Sequence, residues 1–223
     1  MILLTRPQKS SSHIAKNLAK ENITYIIQPL FSIVETSDIQ PLKIELQAVL
    51  ITSSSAIFAL KKMAIKPDVL ILAVGQKTAS EIKRLGYKNV IKSNNSASSL
   101  FDLSLKITSN NKGLILYLSG KKITLDLAKE LRNKNFEAKR IIVYETKEID
   151  EFEDRTIYRI KNNNISEVWI YSQNTLRIFF KLLKKHNLLE YLSILEISCF
   201  SDKIAKLAQK IGFEKTKIIK TKC

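Results

Sequence analysis

Short β-branched runs alternate with amphipathic stretches along nearly the whole chain, and this alternation most restricts the folds open to it. Candidate strands are MILLT (1–5), TYIIQ (24–28), AVLIT (48–52), VLILAV (69–74), KNVI (88–91), LILYLS (114–119), RIIVYE (140–145), EVWIYS (167–172), ILEISCF (194–200) and KIIK (217–220). Stretches 9–20, 54–64, 77–85, 97–107, 122–133, 174–185 and 202–211 carry apolar residues at three- and four-residue spacing and read as helices. Strand, helix and strand repeated in this way give parallel sheets covered on both faces. Ten strands exceed what one small doubly wound sheet holds, so two sheets are expected.

An internal echo supports two halves. ILITSSSAIFALKKM (49–63) resembles WIYSQNTLRIFFKLL (169–183), and LAVGQKTASEIKRLGYKNV (72–90) resembles SCFSDKIAKLAQKIGFEKT (198–216). The second alignment sets Gly75 against Ser201, Ala79 against Ala205 and Gly86 against Gly212. Residues 29–47 hold two prolines around a polar middle and suit a strand crossing between domains. YETKEIDEFED (144–154) is the one acidic cluster in a basic chain and suits a second crossing. The first domain is then discontinuous, 1–35 plus 147–223, with 36–146 inserted in it, and two crossings side by side make a hinge.

Composition removes several classes. With 45% hydrophobic and 26% charged residues, 5 Gly and 4 Pro, the chain is neither disordered nor collagen-like. No apolar run reaches the roughly 18 residues of a membrane span. The opening MILLTRPQK is too short for a signal peptide and lacks a cleavage pattern, so a soluble, cytoplasmic protein is expected. Cys199 and Cys223 make neither a metal cluster nor a disulfide scaffold. The net charge of +16, carried mostly by lysines spread over polar helix faces, reads either as a solvated surface or as a nucleic-acid footprint. The dispersal of the lysines favours the first, and the field still draws in a polyanionic small molecule.

In parallel sheets, ligands bind beyond the carboxyl ends of the strands. Six such ends are TRPQKS (5–10), TSSSA (52–56), VGQKTA (74–79), SGKKIT (119–124), YSQNT (171–175) and FSDKIA (200–205), and only the last brings a carboxylate, Asp202. Each is expected to open a helix whose first N–H groups lack intrahelical partners and carry partial positive charge. The serines and threonines there serve as N-caps, as contacts to carboxylates or phosphates, or as both. Other templates fail. There is no GxGxxG after the first strand, and SGKKIT lacks the earlier glycine of a phosphate loop. His13 and His186, both expected on polar helix faces, do not support a triad or a histidine metal site. Cys199, Trp169 and the pair Phe179–Phe180 read as core. Tyr144 ends a strand just before the acidic crossing. A phenol stays protonated at neutral pH and can donate to a leaving oxygen, although a tyrosine at a strand end is also common.

The ordered series LLTRP (3–7), ITSSSAI (51–57), AVGQKTA (73–79) with LGY (85–87), LYLSG (116–120), IVYET (142–146), IYSQNT (170–175) and CFSDKIA with IGF (199–213) resembles the uroporphyrinogen-III synthase family over nearly the whole length. The resemblance implies an α/β fold of two flavodoxin-like, doubly wound parallel-sheet domains joined by a two-strand linker, with the active-site cleft between them. It implies a cofactor-independent lyase acting on hydroxymethylbilane, a linear tetrapyrrole with eight carboxylates. Loss of the terminal hydroxyl gives an azafulvene, and a spiro intermediate then leads to closure with ring D inverted. Tyr144 matches the family tyrosine that assists the departing hydroxyl. Thr78 matches the threonine after the glycine turn, and Thr52, Ser53, Ser172 and Gln173 match substrate-contacting turns. Thr5, Arg6, Ser54, Gly75, Ser119, Gly120 and Ser201 complete the substrate-binding set. Two features depart from the family pattern: Ser201 and Ile204 replace a second glycine and threonine, and Ile123 and Thr124 stand where a glycine-arginine pair often follows LYLSG. No metal, organic cofactor, nucleic acid or membrane is expected. A monomer in transient contact with the upstream deaminase is. The competing readings are a non-enzymatic two-lobed binder of an anionic metabolite and a nucleic-acid module resting on the charge.

Overall fold

The near-continuous apolar runs become central strands buried on both faces, and the alternation within them divides each sheet's contacts between two helical layers. The structure is a computed structural model describing residues 1–37 and 39–219, with the side chains of 8–10, 12 and 13 excepted. Cys223, Lys220 and the side chain of His13 therefore lie outside the described residues. The chain separates into two compact units, Met1–Ser32 with Lys147–Cys223 (unit 1) and Ile33–Thr146 (unit 2).

Unit 1 is built from β1 (Ile2–Leu4), α1 (Gln8–Lys20) and β2 (Tyr25–Ile27), after which β3 (Phe31–Glu35) carries the chain into unit 2. There follow β4 (Leu46–Ile51), a 3-10 turn at Ser54–Ala56, α2 (Phe58–Lys62), β5 (Leu70–Val74), α3 (Gly75–Arg84), β6 (Val90–Ser93), α4 (Ala97–Ile107), β7 (Leu114–Gly120) and α5 (Leu127–Arg132). The strand β8 (Ala138–Glu148) returns the chain to unit 1, which ends with α6 (Asp154–Lys161), β9 (Glu167–Ile170), α7 (Gln173–Lys185), β10 (Glu196–Cys199), α8 (Asp202–Ile211) and β11 (Lys215–Ile218).

The five-stranded sheet has the order β11-β10-β9-β1-β2 and the six-stranded sheet β3-β8-β7-β4-β5-β6. The ladders that join β11 through β2 in the first and β8 through β6 in the second are parallel, as the crossover pattern requires. At the crossing, Thr36 N–H donates to Val143 O and Ile149 N–H to Leu30 O, so β3 and β8 run in opposite senses. In unit 1, Leu3 joins Phe179, Leu182 and Phe213 in one layer, while Ile2 and Leu4 join Ala15 and Leu18 of α1 in the other. In unit 2, Val49 and Ile51 pack with Leu60 and Ile82, and Ala48 and Leu50 with Leu100 and Leu131. Both α3 and α8 stop at a glycine of positive φ, Gly86 at 96° and Gly212 at 117°, and each is followed by a buried ring, Tyr87 or Phe213.

Four local expectations are corrected. The helix read at 122–133 starts only at Leu127, because Asp126 caps it through Lys129 N–H and the preceding segment is bound to β8. The helix read at 54–64 is a 3-10 turn followed by one short helix. The helix α6 was not expected. Its N-terminus is held from outside by Gln28, whose Oε1 accepts from Glu153 N–H and Thr156 Oγ1, both at 2.9 Å. His186 is the C-cap of α7 and stacks on Phe152 at 5.6 Å instead of lying on a polar face.

Candidate active site

The strand orders locate the places where a ligand can enter. In unit 2 the connections leave β4 in one direction through β5 and β6, and pass through β7 and β8 in the other. In unit 1 they diverge from β1 and β9. A crevice forms at such a switch point, outside the carboxyl ends of the strands.

At the switch point of unit 2 lies a cavity of about 420 Å³ lined by Thr52 after β4, Asn95 and Ser96 after β6, Tyr117 and Gly120 of β7, Lys122 to Thr124, and Tyr144 of β8. A β-bulge aims the tyrosine. Register runs Leu118↔Ile141 and Ser119↔Ile142, then shifts so that Gly120 pairs with Tyr144. The extra residue, Val143, is fully buried. Bulges of this kind redirect a side chain at the end of a strand. Gly120 leaves the ring its space: a Cβ there would stand 2.7 Å from Cζ and 2.9 Å from the phenolic oxygen of Tyr144. Lys121 N–H donates to Tyr144 O at 2.9 Å and closes the arrangement.

Beneath the cavity, Arg140 ties down the loop after β7. Its Nε donates to Ser119 Oγ at 2.8 Å, and one terminal nitrogen donates to Gly120 O and Lys121 O at 2.8 and 3.0 Å. The other terminal nitrogen is 3.8 Å from Asp126 Oδ2. Tyr117, 1% exposed, shares a hydrogen bond of 3.3 Å with Thr52 Oγ1. Burial pushes its phenol above the ordinary range, while the Thr52 hydrogen bond and the charge of Arg140 pull the other way.

The remaining expected residues of unit 2 do not line this cavity. Ser53 caps the 3-10 turn by accepting from Ser55 N–H, and Ser54 begins that turn. Gly75 opens α3 at φ +76°, where a Cβ would meet Asn95 Oδ1 at 3.0 Å. Thr78 and Ser119 are buried. The set thus places Thr52, Gly120 and Tyr144 in one cavity. Sequence reasoning missed Asn95, Tyr117, Lys122 and Arg140. Of these, Tyr117 was the most visible, a single aromatic ring inside a strand otherwise rich in leucine and isoleucine. A larger hollow of about 680 Å³ lies at the opposite, amino-terminal end of the same sheet, lined in part by Leu46, Leu70 and Val90. It holds none of the predicted residues.

Unit 1 arranges its own switch point differently. Thr5 is buried and donates to Trp169 O at 2.6 Å. Arg6 places its guanidinium carbon 4.1 Å from the centre of the Tyr171 ring. Ser172 caps α7, accepting from Thr175 N–H at 3.1 Å, and Gln173 Nε2 donates to Lys203 O at 3.2 Å. Ser201 occupies the N-cap position of α8 without a side-chain cap bond. Cys199 is buried, which pushes its thiol up. Among the described residues, no group of three or more His, Cys, Asp or Glu side chains is placed to hold a metal ion, and no helix is long and apolar enough to cross a membrane.

Comparison with known proteins adds a separate finding. The family model described as uroporphyrinogen-III synthase HemD matches residues 12–221. A search of the curated proteins returns no match. Among solved structures, the uroporphyrinogen-III synthetase of Helicobacter pylori 26695 is 18% identical, with a TM-score of 0.58 and an alignment covering 100% of this chain and 93% of that one, a likeness of fold. A mutant uroporphyrinogen III synthase from the extremely thermophilic bacterium Thermus thermophilus is 14% identical, with a TM-score of 0.49 over 100% of this chain and 94% of that one.

Proposed function

The chain belongs to the uroporphyrinogen-III synthase family, and from that premise we propose that it cyclises hydroxymethylbilane to uroporphyrinogen III as a cofactor-independent hydro-lyase of the cytoplasm. The family match over 12–221 carries this reading, and the cavity of unit 2 supplies residues suited to the steps.

The first step removes the terminal hydroxyl as water and leaves an electrophilic azafulvene. Tyr144 is the group we assign to it: the phenol donates a hydrogen bond or proton to the leaving oxygen and recovers the proton when ring D loses its own. Lys122, exposed at the same cavity, offers a cation to a substrate carboxylate. Thr52, held by Tyr117, offers a fixed hydroxyl. The azafulvene is then attacked from the substituted position of ring D. The spiro intermediate fragments and recloses with that ring inverted, so the overall change is loss of one water. Catalysis beyond the first step is positional, because the type I isomer forms without an enzyme by direct closure. The protein must hold ring D where spiro attack is faster.

The test is the isomer ratio. Hydroxymethylbilane generated fresh by its deaminase is expected to yield type III product in the presence of this protein. Type I product alone would refute the reading.

A further inference from the structure

The carboxyl edge of unit 1 carries an arrangement that the chemistry above leaves unused. Register pairs Leu4 of β1 with Trp169 of β9, and Ile170 of β9 with Cys199 of β10. Carried past the strand ends, the same register brings Arg6, Tyr171 and Phe200 into one row across the switch point. The side chains in that row are in contact. Tyr171 stacks on Phe200 with centroids 4.6 Å apart and planes at 14°, and the Arg6 guanidinium carbon lies 4.1 Å from the Tyr171 centroid. Trp169 meets Phe200 edge-on at 6.0 Å and braces the far side.

Among the described residues, the Arg6 guanidinium has no carboxylate and no hydrogen-bond acceptor, and the residue is exposed. A second cation over a ring is different. Lys62 lies 5.4 Å from the Phe58 centroid and is paired with Glu35, so its charge is already answered. An arginine resting on an aromatic ring keeps its in-plane N–H groups for a planar anion, and a carboxylate matches that fork with two parallel hydrogen bonds. A side chain already restrained by stacking also loses less freedom on binding than a free one. Tyr171 serves through its ring: its hydroxyl is buried and, among the described residues, has no hydrogen-bond partner.

We propose that Arg6, supported by the Tyr171–Phe200 stack, anchors one carboxylate of the linear tetrapyrrole, and that Tyr171 is its positioning residue. The proposal rests on the synthase reading, since hydroxymethylbilane supplies the carboxylate.

Steady-state kinetics of the full chain with fresh hydroxymethylbilane test it. Arg6→Gln is expected to raise KM about tenfold while kcat and the share of type III product stay within about twofold, the scale of a lost charge-assisted hydrogen bond. Tyr171→Leu is expected to raise KM about threefold, and Arg6→Gln combined with Tyr171→Leu to be no worse than Arg6→Gln alone, because the ring acts only through the arginine. Arg177→Gln removes an exposed charge from α7 and is expected to keep the wild-type KM, which separates anchoring from the general field of a +16 chain. An unchanged KM in Arg6→Gln, an equal rise in Arg177→Gln, or additive single effects would overturn the proposal while leaving the synthase reading intact. Wild-type protein that yields only type I product overturns both.

Discussion

The five-stranded sheet of unit 1 recurs in unit 2 in a different chain order, with β3 added at one edge. Setting β9, β10 and β11 on β4, β5 and β6, as the sequence echo does, leaves β1 and β2 on β7 and β8. The spatial orders β11-β10-β9-β1-β2 and β6-β5-β4-β7-β8 then coincide, although the pair that opens unit 1 closes unit 2. The switch point is shared, between β1 and β9 in one unit and between β7 and β4 in the other. The surfaces built on it are not. Unit 2 has a bulge, a glycine and a cavity lined by hydroxyls around Tyr144. Unit 1 has a row in which a cation rests on stacked rings. Strand packing constrains the sheet interiors alike, whereas the residues just past the strand ends are free to diverge. On this reading the chemistry belongs to the edge of unit 2 and anchoring to the edge of unit 1.

The largest effect expected from this division is at Tyr144. Tyr144→Phe keeps the ring under Gly120 and removes the donor, so kcat should fall by about a hundredfold, the lower range of general acid contributions, with the melting temperature unchanged. An unaltered kcat would take the chemistry away from unit 2.

Gly120→Ala should follow, with a loss of about tenfold in kcat if a displaced phenol retains part of its acid role. A Cβ at 2.7 Å from Cζ cannot coexist with the present ring position. Because the substitution acts through Tyr144, adding it to Tyr144→Phe should cost little more. Full additivity in the rates would show that Gly120 serves something other than the tyrosine.

How much of this was readable beforehand follows from what each feature depends on. The alternation of strands and helices and the Gly86–Tyr87 and Gly212–Phe213 helix ends are local patterns, and most of the elements lie where they were read. The helix α6 was missed because DRTIYRIK is polar apart from two isoleucines and one tyrosine, and its anchor, Gln28, is distant in sequence. Tyr144 and Gly120 could be singled out, but the bulge that pairs them is a property of register between β7 and β8. Arg140 was invisible as a loop pin for the same reason: it meets Gly120 and Lys121 only once the two strands are side by side. The row of Arg6, Tyr171 and Phe200 likewise needs three strands in register, and no spacing within one segment reports it.

The smallest effects compare one tyrosine from each unit. Tyr117 and Tyr171 both carry phenols pushed up chiefly by burial, but Tyr117 has Thr52 as partner, whereas Tyr171 has none among the described residues. Removing a paired hydroxyl costs about 1 kcal/mol, whereas removing an unpaired buried one gives back part of its desolvation cost. Tyr117→Phe should therefore destabilise by about 1 kcal/mol and Tyr171→Phe stabilise by up to about 1 kcal/mol in denaturant unfolding at neutral pH. The same variant has a pH signature. In the fold the Tyr171 phenol is raised from 10.0 to about 12, by burial against a smaller opposing effect of Arg6. Below the unfolded value both states hold the proton, and this group adds no pH dependence. Between about 10 and about 12 the unfolded chain has released it while the folded chain retains it. The unfolded state then binds fewer protons, so stability falls as pH rises. Tyr117 contributes in the same sense to both proteins, and the difference between them isolates Tyr171. The stability advantage of Tyr171→Phe over wild type should widen across that alkaline interval. Parallel curves would mean that the hydroxyl has a partner or water in solution, and the contrast between the two tyrosines would then collapse.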